Sequence, residues 1–102
     1  MLDVYMRVNT SPYDWKLCAG AIDIIVKECK LQDETPVDLQ DMGIRMYVKK
    51  DAVKSRLDIN ANLHPYFIAG PALFFAIDSR GNFTSLAPAQ VGVIVTWLRY
   101  GR

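Results

Sequence analysis

Two stretches in the C-terminal third of the chain, residues 67–77 and 91–100, are apolar at nearly every position. In an extended strand, successive side chains point to opposite faces of the sheet, so each stretch would present apolar groups on both faces. A strand of that kind is central in its sheet or is covered by a partner. The sequence therefore predicts two strands that are covered on both sides, and this requirement restricts the fold strongly.

Alternation of apolar and polar residues predicts further, half-buried strands. It runs through residues 2–9, 22–26 and 44–50, and more weakly through 53–59. The alternating positions hold many β-branched residues, which suit a pleated surface. Residues 78–82, Asp-Ser-Arg-Gly-Asn, supply turn chemistry between two strands.

Two short segments carry the chemistry of helix starts. In residues 11–14, Ser-Pro-Tyr-Asp, a serine can cap the first turn and a proline can occupy its first position. We expect a helical turn that ends near Gly20, or alternatively an irregular loop held by Tyr13 and Trp15. Residues 85–90 form another candidate turn. No stretch sustains a capped amphipathic helix, so longer helices are not expected.

Six or seven short strands separated by turns are typical of a β-sandwich. A chain of 102 residues has the size of one domain. We therefore expect residues 1–102 to form a single all-β domain. The sequence leaves open whether residues 1–20 complete their own sheet or are exchanged with a neighbouring copy.

One region is similar to a known family. Residues 33–39, Asp-Glu-Thr-Pro-Val-Asp-Leu, and the following residues 44–50, Ile-Arg-Met-Tyr-Val-Lys-Lys, resemble the immunoglobulin-like β-sandwich domain of phage baseplate upper, tail-fibre and neck structural proteins. Residues 76–90 resemble that family's late hairpin and short helical turn. Glu34 replaces the usual glycine, and residues 60–71 are an insertion. The resemblance implies an immunoglobulin-like sandwich of about seven strands, with one or two short helical turns and no catalytic residues.

Charge and hydropathy bear on the classes of partner. The net charge of +1 provides no long-range attraction for nucleic acid, and Asp51 and Asp58 dilute the basic run at residues 49–56. No apolar run approaches the roughly 20 residues that cross a bilayer, and the N-terminus lacks the pattern of a signal peptide. We expect neither a nucleic-acid nor a membrane partner, and a location in a virion made in the host cytoplasm, or otherwise in the cytoplasm.

Candidate chemical groups are few and scattered. His64 is the single histidine, and no motif places a nucleophile or carboxylate beside it. Cys18 and Cys29 lack the spacing of metal ligands, and their redox state is left open. The aspartates that could be considered for calcium do not follow the order of an EF-hand; they are Asp23, Asp33, Asp38 and Asp41. We therefore expect no catalytic residue, metal or cofactor.

The apolar surplus is the main clue to function. Because large apolar patches are rare on monomers, the doubly apolar strands indicate a partner or neighbouring subunit, unless loops cover them. The candidate interface residues are Phe67, Phe74, Val93, Leu98 and Tyr100. With the resemblance, this predicts a non-enzymatic virion protein, present in several symmetric copies, that docks onto tail, baseplate, neck or capsid proteins through sandwich faces. The alternative is a small phage-encoded or bacterial regulator that inhibits a host protein by binding it.

Overall fold

The computed structural model describes residues 2–8, 15–49 and 71–100, which form one antiparallel sheet with helices on both faces. The strand order is β2-β1-β5-β4-β3, and β6 pairs with β5 beside this path. In chain order the described elements are β1 (Asp3–Val8), β2 (Trp15–Gly20), α1 (Ile22–Glu28), β3 (Leu31–Asp33), α2 (Val37–Gln40), β4 (Ile44–Lys49), β5 (Ala72–Ile77), β6 (Phe83–Thr84) and α3 (Pro88–Tyr100).

The predicted all-β immunoglobulin-like sandwich is wrong. The fold is α/β, with a single open sheet whose faces are covered by helices rather than by a second sheet. Two segments predicted as strands, residues 22–26 and 91–100, lie in α1 and α3. The β-branched residues in both segments favour strands only weakly, and packing of a helix against the sheet overrides that preference.

In α1, the strand-like alternation coincides with a helical spacing. Ile22, Ile25 and Val26 lie three and four positions apart and pack against the sheet, whereas Ile24 is 55% exposed. The helix lies close to the end of β2. A Cβ atom added to Gly20 would lie 2.6 Å from Ile25 Cδ1, so the end of the Ile25 side chain would have to move to admit a larger residue.

In α3, local chemistry at the N-terminus favours a helix. Pro88 occupies the first helical position, where its missing N–H costs nothing. The backbone N–H of Ala87 donates to Gln90 Oε1 at 2.9 Å, which is the reciprocal half of a capping box. Ile94, Trp97 and Leu98 then face the sheet at the i, i+3, i+4 spacing.

The prediction of a central strand covered on both faces is confirmed for β5. It lies between β1 and β4, with Phe74 opposite both Met6 and Met46. Phe74 contributes to the core beneath α3, and Phe75 contributes to the core on the α1 side. Both side chains are 0% exposed. Helices of the same chain therefore help to cover the apolar surplus of β5.

Three other local predictions are confirmed. Residues 3–8 and 44–49 are strands. β4 buries every second side chain, and β1 buries Met6 and Val8. The predicted turn at 78–82 contains Gly81 with a φ of +83°. Residues 15–20, however, form a strand that pairs along the whole of β1 instead of a helical turn. The predicted turn at 11–14, the strand at 53–59 and the loop at 60–65 lie outside the described residues.

Replacing the aromatic ring at the centre of the sheet tests this packing. Phe74→Ala should lower the free energy of unfolding by about 3–5 kcal/mol, because it removes a fully buried ring and leaves a cavity. Urea unfolding provides the measurement. Leu17→Ala is the matched control, since Leu17 pairs with Met6 but is 49% exposed. A loss at Phe74 no larger than the loss at Leu17 would contradict the described core.

Candidate interaction surface on the C-terminal helix

The outward side of α3 carries no charge over its first three turns. From Pro88 to Leu98 the sequence contains no acidic or basic residue. We call the residues on this side the outer stripe: Ala89, Gly92, Val93 and Thr96. They lie three or four positions apart and therefore share one side of the helix. Ala89, Gly92 and Thr96 are exposed, and Val93 is half-buried.

The helix on the other face of the sheet, α1, carries charge on its exposed side. Its exposed residues are the charged Asp23, Lys27 and Glu28, together with the apolar Ile24. An amphipathic helix normally places charged or polar residues opposite its buried side, and a helix without them is usually buried all round. The inner side of α3 packs on the sheet, whereas Ala89, Gly92 and Thr96 of the outer stripe are exposed and Val93 packs partly against the core. The outer stripe is therefore suited to contact another protein.

The outer stripe forms one wall of a shallow, mainly apolar groove between α2 and α3. Asp38 of α2 lines the opposite wall, and Trp97 contributes to the lining. Two large apolar side chains in and just after α2 are also exposed, Val37 by 69% and Met42 by 50%.

Gly92 has no explanation in the packing of the described residues. A glycine inside a helix costs about 0.5–1 kcal/mol relative to alanine. A Cβ atom added at Gly92 would meet no heavy atom of the described residues within 4 Å. The described part of the fold therefore leaves room for a larger residue at this position. Close approach of another backbone is a common reason for glycine, and it would account for Gly92.

Gln90 joins the start of α3 to the turn that follows α2. Its side-chain Nε2 donates to the carbonyl oxygens of Met42 at 3.2 Å and Gly43 at 3.4 Å. The Gly43 carbonyl also accepts the backbone N–H of Ile77 at 2.9 Å. The start of α3, the turn after α2 and the end of β5 are thereby joined by hydrogen bonds.

The opposite face of the sheet carries an aromatic cluster. Phe75 lies at its centre, with ring centroids 5.5 Å from each of Tyr5, Tyr47 and Phe83. Tyr47 also contacts Phe83 at 5.8 Å, edge to face. Such pairs add about 0.5–1.5 kcal/mol beyond burial. This cluster packs with α1, and we assign it to the core rather than to a site.

Both tyrosines in this cluster have altered acidity. Burial raises the pKa of the Tyr5 hydroxyl above 10.0, and Cys18 on the paired strand raises it further by its charge and a hydrogen bond. Burial likewise raises the pKa of Tyr47, with an added effect of the Asp33 carboxylate. Both hydroxyls stay protonated at neutral pH, so they act there as hydrogen-bond donors.

The predicted interface residues occupy different places. Phe74 and Leu98 belong to the core beneath α3, where Leu98 is 7% exposed. Val93 lies on the outer stripe. Phe67 and the side chain of Tyr100 lie outside the described part of the molecule. The structure therefore places Val93, among these residues, at the groove.

The sequence contains a signal for the three outer-stripe residues that were not among the predicted interface residues. Ala89, Gly92 and Thr96 are small, and none suggests an interface alone. Their helical spacing within an uncharged stretch was the signal, but it became informative only once the stretch was recognised as a helix. A strand assignment spreads the same positions over two faces.

The candidate chemical groups do not converge. Cys18 is half-buried and Cys29 is exposed, and both are free thiols. Asp33 accepts the backbone N–H of Thr35 at 2.9 Å and lies 3.8 Å from Arg45 Nε. Within the described residues, no group of three or more histidine, cysteine and acidic side chains is arranged to hold a metal. His64 falls outside this part of the chain.

Comparisons with protein-family models, curated proteins and solved structures found no match to this chain. Of the helices in the described ranges, none has the length and apolar character required to span a membrane. Function has to be inferred from the surface itself.

The tyrosine pKa values imply a loss of stability at high pH. Since the pKa of both hydroxyls is raised in the folded state, the folded chain retains protons that the unfolded chain releases. The free energy of unfolding should therefore be unaffected by these groups below pH 10 and fall as pH rises from about 10 towards the folded-state values. Urea unfolding across this range, with tyrosinate absorbance, provides the measurement.

The double variant Tyr5→Phe, Tyr47→Phe is the control for this effect, because it keeps both rings and removes both titrating groups. We expect a smaller loss of stability between neutral and high pH in the variant. An identical loss would assign the pH dependence to other groups.

The open space at Gly92 gives a second expectation. Gly92→Ala should raise the free energy of unfolding of the dilute monomer by about 0.5–1 kcal/mol, because alanine restricts the unfolded chain and favours the helix. Gly20→Ala is the control, since its Cβ would lie 2.6 Å from Ile25 Cδ1, so Ile25 must shift and we expect a smaller gain in stability than at Gly92. Thermal and urea unfolding measure both. Loss of stability in Gly92→Ala would show that this space is already filled.

Proposed function

We propose that this chain is a non-enzymatic assembly protein that docks onto other proteins through the outer stripe of α3. The observation that carries the proposal is the absence of charge from Pro88 to Leu98 on a helix whose outward residues are exposed. Covering this surface removes apolar area from water, at roughly 25 cal/mol per Å², without desolvating a charge.

The groove indicates the chemistry of the partner. A charged partner group placed over Val93 or Gly92 would lose its water and find no opposite charge among the outer-stripe residues. An apolar, uncharged surface that approaches closely fits better. Asp38 at the margin of the groove offers one acceptor for a polar or basic group on the rim of such a partner.

The mode of docking differs from the one that the sequence predicts. Sandwich faces are not available, because α1 and α3 lie on the two faces of the sheet. The docking surface is instead the solvent side of a helix whose inner side completes the core. Among the described residues predicted for the interface, Val93 retains that role in the proposal.

We also propose that this docking takes place in a phage virion, on tail, baseplate, neck or capsid proteins and in several symmetry-related copies. The support is the similarity of residues 33–39 and 44–50 to segments of phage structural proteins. The sandwich fold of that family does not extend to this chain, so the similarity supports the setting and not the mode of binding.

Particle composition tests the proposal. Mass spectrometry of purified phage particles from the source should detect several copies of the wild-type chain per particle. Complementation with Thr96→Lys should lower that copy number at least tenfold, because a charge would be buried at the docking surface. Ile24→Lys is the matched control, as it adds the same charge at an exposed site on α1 and should leave the copy number unchanged.

Two results would contradict the proposal. If Thr96→Lys enters particles as well as Ile24→Lys does, the outer stripe is not the docking surface. If the wild-type chain is absent from particles, the virion setting is wrong. In that case, specific binding of a host protein that Thr96→Lys abolishes would favour the alternative regulator and retain the stripe as the binding surface.

A further inference from the structure

A concave pocket lies on the α1 face of the sheet, beside the residues that follow the end of α1. Its volume is about 490 Å³, within the roughly 300–1,000 Å³ of small-molecule sites. Residues of β1, β3, β4 and β5 line it, together with the last residue of α1. α3 packs on the opposite face of the sheet, so a site here goes beyond the proposed docking surface and does not depend on it.

Apolar side chains form part of the pocket lining. Leu31 and Leu73 belong to the core cluster that packs with α1, and Pro71 lines the pocket with them. Leu73 stands opposite both Arg7 of β1 and Tyr47 of β4, so the paired strands on its two sides hold it in place. These three apolar residues offer contact to the apolar part of a ligand.

The charged residues of the lining are mainly basic. Lys30 and Lys49 are exposed, and neither forms an ion pair with another described residue, including Glu28 of the same lining. Arg7 adds a third positive charge, although its side chain already takes part in another interaction. With the carboxylate of Glu28, the lining has a formal charge of +2, whereas the whole chain has +1. The lining therefore favours a negatively charged ligand.

The backbone at Lys30 is unusual for a lysine. Its φ is +53°, and it is the one non-glycine residue with positive φ in the described ranges. Lys30 follows Cys29, the C-cap of α1, at the position where helices commonly end with a left-handed glycine. A lysine is strained there relative to glycine, and strain of this kind is often found where residues contact ligands. A ligand contact in the pocket would account for a lysine at this position.

We propose that this pocket binds a small organic acid, with its carboxylate held by Lys30 and Lys49 and its apolar part against Leu31, Pro71 and Leu73. A carboxylate that leaves water needs a compensating charge, and charge-assisted hydrogen bonds from ammonium groups supply it. An inorganic anion would leave the apolar side chains unused, and a neutral apolar molecule would leave the lysines unused. The two parts of the lining together define the class of ligand.

Titration of the isotope-labelled full-length chain with octanoate, followed by amide NMR spectra, tests the proposal. Octanoate should bind saturably at millimolar concentration or below and shift the amide signals of residues 28–31, Lys49 and Leu73. Two further probes separate the parts of the ligand. Octanamide keeps the carbon chain without the charge, and acetate keeps the charge without the chain. Each should bind about tenfold more weakly than octanoate, or more weakly still, because each uses one part of the lining.

Matched variants test the role of the two lysines. The double variant Lys30→Gln, Lys49→Gln should bind octanoate about tenfold more weakly or worse, because it removes the charge-assisted hydrogen bonds. Lys27→Gln is the control, since it removes the same charge from an exposed site on α1 outside the lining and should leave the affinity unchanged. Lys30→Gly should also weaken binding, yet it should raise the urea midpoint of unfolding, because glycine adopts a positive φ without strain.

Several results would overturn the proposal. Octanoate that shows no saturable binding would remove the ligand site. Octanamide or acetate that binds as tightly as octanoate would reduce the pocket to an apolar surface or to a general attraction for anions. Equal losses in Lys27→Gln and in the double variant would assign the effect to the overall charge of the chain. A Lys30→Gly variant that is less stable than the wild type would assign that lysine to the fold rather than to a ligand.

Discussion

The described fold depends on keeping both faces of β5 away from water. Phe74 and Phe75 are consecutive residues on opposite faces, and both are fully buried. Burying a phenylalanine side chain is worth about 1.5–3 kcal/mol, so exposing either face would remove a substantial part of the stability of a small domain. The chain provides α3 for one face, and α1 with flanking aromatic rings for the other. The arrangement of the described elements follows from this requirement.

This requirement divides α3 between two tasks. Ile94, Trp97 and Leu98 complete the core, and their burial fixes the orientation of the helix. Gln90 fixes its start through hydrogen bonds to the turn before β4. The opposite side of α3 faces away from the core, and it contains no charged residue from Pro88 to Leu98. The proposed docking surface is thus presented by an element that the core holds rigidly, which lowers the entropic cost of binding.

Sequence reasoning succeeded where periodicity had a single interpretation. Residues 44–49 alternate cleanly and form β4. It failed for residues 22–28, where Ile-Asp-Ile-Ile-Val satisfies both a two-residue and a three-to-four-residue period. The choice between them depends on which elements share the sheet, and that information is not local.

The same ambiguity affected the candidate site. Residues 91–98 are apolar at almost every position, so periodicity could not separate a buried strand from a helix. Two residues could have identified the helix from the sequence. Pro88 suits the first helical position, and Gln90 stands where its side-chain oxygen can accept the backbone N–H of Ala87. Once the strand was assumed, Phe74 and Leu98 were expected at an interface, although each has its place in the core beneath α3.

The division of α3 also separates two selective pressures on one short segment. Changes at Ile94 or Trp97 alter the core and are constrained by folding, whatever the protein binds. Changes at Ala89, Gly92 or Thr96, which are exposed, leave the core untouched, and alanine at Gly92 would make the helix more stable. The proposed docking surface can therefore change over evolutionary time at little cost to the fold.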